Sequence, residues 1–257
     1  MLSEFTVLHH TISMYGVCAA VGAISVLLYL QRYEKHCSCS AAGDIDLALI
    51  AGLIGGVIGA KLLYLLVNFP ALVADLRQAY SFSLILEKYF FGGFVFYGGL
   101  FGYLFALVIY ARCEKITYRE LEKPLLPAFV LFHAFGRIGC FFAGCCYGIQ
   151  TSSFLHIIYT QSKIAPNGMP LFPVQLIEAS GEFVLFIVLS RLSKKDASPL
   201  TGLYLLCYGI MRFILEFFRG DFYRGKIWFL SVSQAISLVG IGMGIYLILR
   251  IKKMTVK

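Results

Sequence analysis

Asp46-Leu-Ala-Leu-Ile-Ala-Gly-Leu-Ile-Gly-Gly-Val-Ile-Gly-Ala-Lys61-Leu-Leu-Tyr-Leu-Leu-Val67 decides the fold. After Asp46 a single charge, Lys61, interrupts the run, and about 20 mostly apolar residues let a helix cross the hydrocarbon core of a bilayer. Equivalent runs at 11–31, 91–111, 124–143, 171–190, 200–218 and 228–249 flank it, so with 46–67 the sequence predicts seven transmembrane helices. Composition agrees. With 59% hydrophobic residues, 14% charged residues and a mean hydropathy of +0.80, too little polar surface remains to coat a water-soluble domain. The expected class is an all-α integral membrane protein. The first run lacks a basic leader and a small-residue cleavage pattern, so it reads as a retained helix.

Basic residues set the expected orientation, because cytoplasmic connections are enriched in them. Thirteen fall on one set of alternate connections: Arg32, Lys35, Arg112, Lys115, Arg119, Lys123, Arg191, Lys194, Lys195, Arg250, Lys252, Lys253 and Lys257. The other set holds six: Arg77, Lys88, Lys163, Arg219, Arg224 and Lys226. The N-terminus is therefore predicted outside and the C-terminus in the cytoplasm. This clustering also accounts for the net charge of +8 without a nucleic-acid partner, since anionic lipid headgroups attract the same patches.

No linker, repeat or low-complexity segment divides the chain, so 1–257 reads as one polytopic domain. Two connections are amphipathic, Asn68–Glu87 and Gln150–Pro173, the second with the turn signal Pro166-Asn167-Gly168, and both are predicted to form outer arms over a lipid-facing site. The eight cysteines contain no Cys-x-x-Cys pair and no zinc spacing, so no metal is expected. The vicinal pair Cys145-Cys146 stands out. A thiol-disulfide enzyme built on it is a weaker reading, because a disulfide between neighbours closes a strained ring.

Charges at membrane depth mark the candidate site, because burying one costs about 2.5–3.5 kcal/mol on insertion scales. Arg212, Glu216 and Arg219 are spaced i, i+4, i+7 and share a helix face. They form either a structural ion-pair stripe or an anion clamp, for which the planar guanidinium is suited. Arg137 lies in a glycine-rich stretch with Gly136, Gly139, Gly144 and Gly148, and His133 is one turn before it. Arginines on two helices suggest a phosphodiester headgroup, and His133 is a candidate base. Glu178 and Glu182 are also one turn apart, Glu182 being the deeper and the expected partner of the arginines. Lys61 and Tyr15 add polar groups at depth. The glycines of 52–59 suit helix packing, whereas those around Tyr97-Gly98-Gly99 fit either packing or close approach of a substrate.

Ile12-Ser-Met-Tyr15-Gly16, Gly59-Ala-Lys61-Leu, Gly98-Gly99-Leu100, Gly136-Arg137-Ile-Gly139 with Gly144 and Gly148, Pro173-x-Gln175-Leu-x-Glu178, and Tyr208-Gly-x-x-Arg212-Phe-x-x-Glu216-Phe-x-Arg219 occur in this order. Together they resemble the bacterial prolipoprotein diacylglyceryl transferases, from the first span to the last. The resemblance implies a seven-helix plasma-membrane enzyme. It would move diacylglyceryl from phosphatidylglycerol to the thiol of the lipobox cysteine in a preprolipoprotein signal peptide, releasing glycerol 1-phosphate without a cofactor. It implies that Arg137 and Arg212 hold the phosphate, with Glu216, Arg219, Glu182, Tyr15, Lys61, Gly98, Gly99, Gly139, Gly144 and Gly148 lining the substrate. Tyr97 stands where the family has His, Cys140 where it has Asn, and Cys145 where it has Glu. Proton transfer then falls to His133 or Tyr97. A non-catalytic or retargeted phosphatidylglycerol or lipopeptide binder of the same family is the alternative.

Overall fold

The computed structural model describes residues 4–7, 10–36, 42–77, 81–91, 93–194, 199–221, 226–227 and 229–255. Lys195, Arg224 and Lys257, used in the reading above, lie outside the described residues, as do Cys37 and Cys39 of the eight cysteines. In chain order the first elements are β1 (Glu4–Val7), β2 (His10–Ser13), α1 (Met14–His36), α2 (Ala42–Val67), α3 (Phe69–Arg77), α4 (Phe82–Ile85), a π-helical turn (Leu86–Phe91) and α5 (Phe96–Cys113). Then follow α6 (Tyr118–Ala143), β3 (Ile157–Ile158), β4 (Pro170–Leu171), α7 (Val174–Leu192), α8 (Leu200–Glu216), β5 (Lys226–Ile227), β6 (Leu230–Ser231) and α9 (Val232–Thr255).

Each apolar run contains a helix, namely α1, α2, α5, α6, α7, α8 and α9. Five of these are long and apolar enough to cross a membrane: α1, α2, α5, α6 and α9. The other two are the helices that carry much of the candidate site: α7 holds Glu178, Glu182 and Arg191, and α8 is 17 residues long. The architecture is that of an all-helical membrane protein to which short antiparallel pairs are added, β1 with β2, β3 with β4, and β5 with β6.

Two compact units are present, one formed by Met1–Ser38 with Lys123–Lys257, the other by Cys39–Glu122. In the smaller unit α2 and α5 pack backbone to backbone. A Cβ at Gly59 would lie 2.8 Å from the Gly102 Cα, and one at Gly52 would lie 2.6 Å from the Tyr103 ring. Only glycine permits that approach, where dispersion and Cα–H···O contacts replace the hydrophobic drive that lipid removes. Ile54, Val57 and Ile58 on α2 are exposed, as lipid-facing side chains would be. The connection predicted as an arm forms α3, α4 and the π turn, tied by Asp75 Oδ2, which accepts from Lys88 Nζ and from the Tyr89 hydroxyl, both at 2.7 Å.

In the larger unit α6 is the enclosed helix. Leu125, Leu126, Val130 and Ala134 have no accessible surface. Pairing between connections brings the C-terminal ends of α6 and α8 and the N-terminal end of α7 to one end of the unit. Gly148 pairs with Arg219, the Ile149 N–H donates to the Phe218 carbonyl at 2.9 Å, and the Phe172 N–H to the Ile149 carbonyl at 2.9 Å. The second arm, 150–173, is organised by β3 and β4, and its predicted turn is present, with Gly168 at φ +77° and its N–H bonded to the Tyr159 carbonyl.

Candidate active site

Helical spacing sorts the charged residues before any contact is considered. His133 and Arg137 are one turn apart on α6, Glu178 and Glu182 on α7, and Tyr208, Arg212 and Glu216 on α8. In each helix residues four apart share a face, and in the folded unit those faces meet. His133, Arg137, Glu178, Glu182 and Arg212 are all buried, Glu182 completely.

Glu178 is the hub. Its Oε1 lies 3.0 Å from Arg137 Nη2 and 4.0 Å from Arg212 Nε, and accepts from the Tyr208 hydroxyl at 3.2 Å. Arg212 Nη2 pairs with Glu216 Oε2 at 2.6 Å. Arg137 Nε donates to His133 Nε2 at 3.2 Å, and His133 Nδ1 lies 3.0 Å from Glu182 Oε1. A neutral His133 that accepts at Nε2 carries its proton on Nδ1, toward Glu182. The imidazole is further fixed edge-on to the Tyr208 ring, with centroids 5.4 Å apart and planes at 76°.

Depth along α7 therefore misidentifies the arginine partner. Glu178, and not Glu182, meets Arg137 and Arg212, and Glu182 serves His133. Arg219 also leaves the stripe expected from spacing, because α8 ends at Glu216 and Arg219 belongs to the segment paired with Gly148. There its guanidinium makes a two-pronged bond to Asp221, Nε to Oδ1 at 2.8 Å and Nη2 to Oδ2 at 2.6 Å. Burial works against its charge, but the Asp221 carboxylate and Cys146 hold its pKa above the ordinary arginine value.

The remaining candidates separate by unit. Tyr15 on α1 lays its ring against Gly139, where an added Cβ would be 2.9 Å from Tyr15 Cδ2. Gly144 has φ +71° and ends α6, and Gly148 abuts Phe172 and Val174. Tyr97, Gly98, Gly99 and Lys61 belong to the smaller unit. There Tyr97 stacks on Phe101, Gly98 and Gly99 face α2, and Lys61 Nζ donates to the Gly93 carbonyl at 3.3 Å.

Spacing missed one cluster. Cys140, Cys145 and Cys146 show no zinc spacing, yet their Sγ atoms all lie within 4.8 Å of one another. The chain reverses after α6 through Gly144 at φ +71° and Cys146 at φ +60°, which returns the vicinal pair to Cys140. A glycine four residues after a helix-borne cysteine was the available signal. The turn is held from outside: Gln175 Nε2 donates to the Cys145 carbonyl at 2.9 Å and to the Tyr159 hydroxyl at 3.3 Å, and that hydroxyl donates to the Phe141 carbonyl at 3.0 Å. Burial pushes the Tyr159 phenol up to about 12, so it remains a donor. Hydrogen bonds from the Cys140 and Cys145 thiols, reinforced by Arg219 and Arg137, hold the Cys146 thiol well below the ordinary thiol range.

Residues 4–250 match the sequence profile of a family described as prolipoprotein diacylglyceryl transferase. A phosphatidylglycerol–prolipoprotein diacylglyceryl transferase of Clostridium tetani is 34% identical over 234 residues, 90% of each chain. The second such transferase of Clostridium perfringens is 34% identical over 87% of this chain and 85% of its own. That of Klebsiella pneumoniae is 28% identical over 90% and 86%.

Proposed function

The chain belongs to the prolipoprotein diacylglyceryl transferase family, and we propose that its buried Arg137–Glu178–Arg212 cluster is where the phospholipid donor is held. The protein is a transferase of a bacterial membrane that moves diacylglyceryl from phosphatidylglycerol to prolipoprotein. Membership of a transferase family carries this over a non-catalytic binder. The acceptor atom is the lipobox cysteine thiol and the leaving group glycerol 1-phosphate. The seven helices act as one polytopic domain, N-terminus outside, with the site facing the outer leaflet.

One observation carries the placement of the donor. Arg212 is 2% exposed, yet its Nη1 has no acceptor among the described residues. An unmet buried donor costs about 1–3 kcal/mol, and a phosphate oxygen would satisfy it. A phosphodiester arriving there competes with Glu178 for Arg137 and Arg212, and both guanidiniums then face the oxygen on which charge develops as the C–O bond breaks. Drawing Arg137 to the phosphate also releases the His133 Nε2 lone pair. Headgroup binding and exposure of the base become one event. His133, backed by Glu182, takes the thiol proton while sulfur forms its bond to the glycerol carbon and glycerol phosphate departs with the electron pair. Tyr97 is not needed in this scheme. Arg219, Gly148, Tyr15 and Gly139 line the donor in this reading.

Purified protein in phosphatidylglycerol micelles with a lipobox peptide tests the reading. The expected result is a peptide mass increased by one diacylglyceryl group with matching glycerol phosphate release, both lost in Arg137→Ala. Full transfer by Arg137→Ala would overturn the assignment of the clamp.

A further inference from the structure

We propose that Cys140, Cys145 and Cys146 form a Zn²⁺ site with three protein thiolates and a fourth position open to an acceptor thiol. The open position rests on the transfer reaction proposed above; the metal site does not.

The geometry is near that of a bound ion. Zinc–sulfur bonds of about 2.3 Å in a tetrahedron hold the sulfurs about 3.8 Å apart, and here all three Sγ atoms fall within 4.8 Å. The gap to close is about 1 Å. None of the three is in a disulfide. They are half-buried, so the cluster is shielded without being sealed.

Simple packing of small side chains does not explain the turn. Cys146 occupies the left-handed region at φ +60°, which a residue with a Cβ adopts only against steric strain, and the preceding Gly144 at +71° sets up the reversal. That conformation, clamped by Gln175 on the Cys145 carbonyl and by Tyr159 on the Phe141 carbonyl, delivers Cys145 and Cys146 to the same point as Cys140. Charge fits as well. Three thiolates and Zn²⁺ carry one net negative charge, and Arg137 and Arg219 both lie within electrostatic reach of Cys146.

Three protein ligands leave a tetrahedral ion with one open position, the arrangement of catalytic zinc. Because Arg137 is also within reach of Cys140, a thiol held at the fourth position is next to the place assigned to the phosphate. As the zinc–sulfur bond forms, the thiol's S–H bond breaks and its proton passes to His133, since a coordinated thiol is held as thiolate, and the zinc–sulfur bond gives way as sulfur bonds to the glycerol carbon. The ion thus selects the sulfur nucleophile and prepares it.

Detergent-purified protein, reduced and stripped with chelator, is titrated with Co²⁺ as a spectroscopic stand-in. One equivalent is expected to give thiolate-to-cobalt charge-transfer absorption and tetrahedral ligand-field bands, both bleached by Zn²⁺. They should be lost in Cys140→Ser and Cys145→Ser and kept in Cys113→Ser, whose thiol is exposed at the end of α5. A lipobox peptide should shift the ligand-field bands, and the same peptide with Ser for Cys should not. In case a variant fails to fold, wild-type protein is alkylated with maleimide with and without Zn²⁺, and protection of these three thiols read by mass spectrometry. Absence of both charge transfer and protection in reduced protein overturns the site. Binding without a peptide-dependent shift overturns the open position. Lipid transfer measured on the same preparation separates the two readings: transfer in protein that binds no metal removes this inference alone, and cobalt binding without transfer removes only the reaction.

Discussion

Glu178 Oε1 serves two arginines and a tyrosine at once. Its replacement therefore tests the site more sharply than the loss of any one arginine. Glu178→Gln keeps the shape and removes the charge, leaving Arg137 and Arg212 buried with less compensation. Breaking a buried pair from one side costs about 3–5 kcal/mol, and a loss in that range is expected from thermal unfolding in detergent. Tyr208→Phe deletes one hydrogen bond to a charged group and should cost about 1.5–3 kcal/mol. Equal losses from the two variants would mean that Glu178 is not the hub. In activity, Arg137→Ala should lower kcat by about 10²–10³, the usual effect of removing one donor from a developing anion, with stability measured in parallel to separate the two. The residues of this cluster were legible in the sequence because charge in an apolar run is costly wherever it falls. Their partners were not. Glu178 and Glu182 differ by one helical turn, and which turn meets Arg137 depends on the register of α7 against α6, set by packing across all three helices. Tyr208 entered the sequence reading only as part of a motif, since a tyrosine in a span carries no charge to betray it.

At the scale of elements, the glycines divide into those that hold helices together and those with space around them. Gly59 lies against Gly98 and Gly102, so Gly59→Val must force α2 and α5 apart, and overpacking of this kind costs about 1–3 kcal/mol. Gly242 in α9 has nothing within 4 Å of an added Cβ. Gly242→Ala should therefore be neutral or stabilise by about 0.5–1 kcal/mol through helix propensity. Opposite signs in thermal unfolding are the expected outcome, and a stabilising Gly59→Val would disprove the close packing. The first arm has its own switch in pH. Hydrogen bonds from Lys88 and Tyr89 hold the Asp75 carboxyl below the usual carboxylate range, and Asp75 raises the Lys88 pKa. A depressed carboxyl stabilises above its unfolded pKa and loses that contribution as pH falls through the folded value. A raised lysine stabilises below its unfolded pKa and loses the contribution as pH rises through the folded one. Docking of the π turn on α3 should thus be firmest between these limits. Amide protection over 82–91, taken relative to the intrinsic exchange rate at each pH, should fall at acidic pH, and Asp75→Asn should show the lower protection already at neutral pH. The helices were legible because each needs a long apolar run. The strands were not, since two-residue pairs such as β3 with β4 carry no periodicity.

For the molecule as a whole, apolar surface is turned outward on a scale that water would not tolerate. Leu62 and Leu66 on α2, Phe105 on α5, and Val239 and Tyr246 on α9 are each more than half exposed, so a hydrocarbon solvent is part of the folded state. That lipid belt was readable from composition; its sidedness rests on the basic residues alone and makes a firm prediction. Cys113 ends α5 next to Arg112 and Lys115 and is exposed, so it should face the cytoplasm. Phe154, in the second arm, is 95% exposed and should face outward. The pairing of Gly148 with Arg219 and of Ile149 with Phe172 puts the α6, α7 and α8 ends at the same end as that arm. The arginine cluster would then open toward the outer leaflet, on the side where a translocated prolipoprotein presents its cysteine. In intact cells, a membrane-impermeant maleimide should label Phe154→Cys and spare Cys113, each tested as the single cysteine of its chain, and both should react once the membrane is opened. Labelling of Cys113 alone in intact cells would invert the topology. The basic connections would then lie outside, and the site would have to draw both its phospholipid and its thiol from the cytoplasmic leaflet.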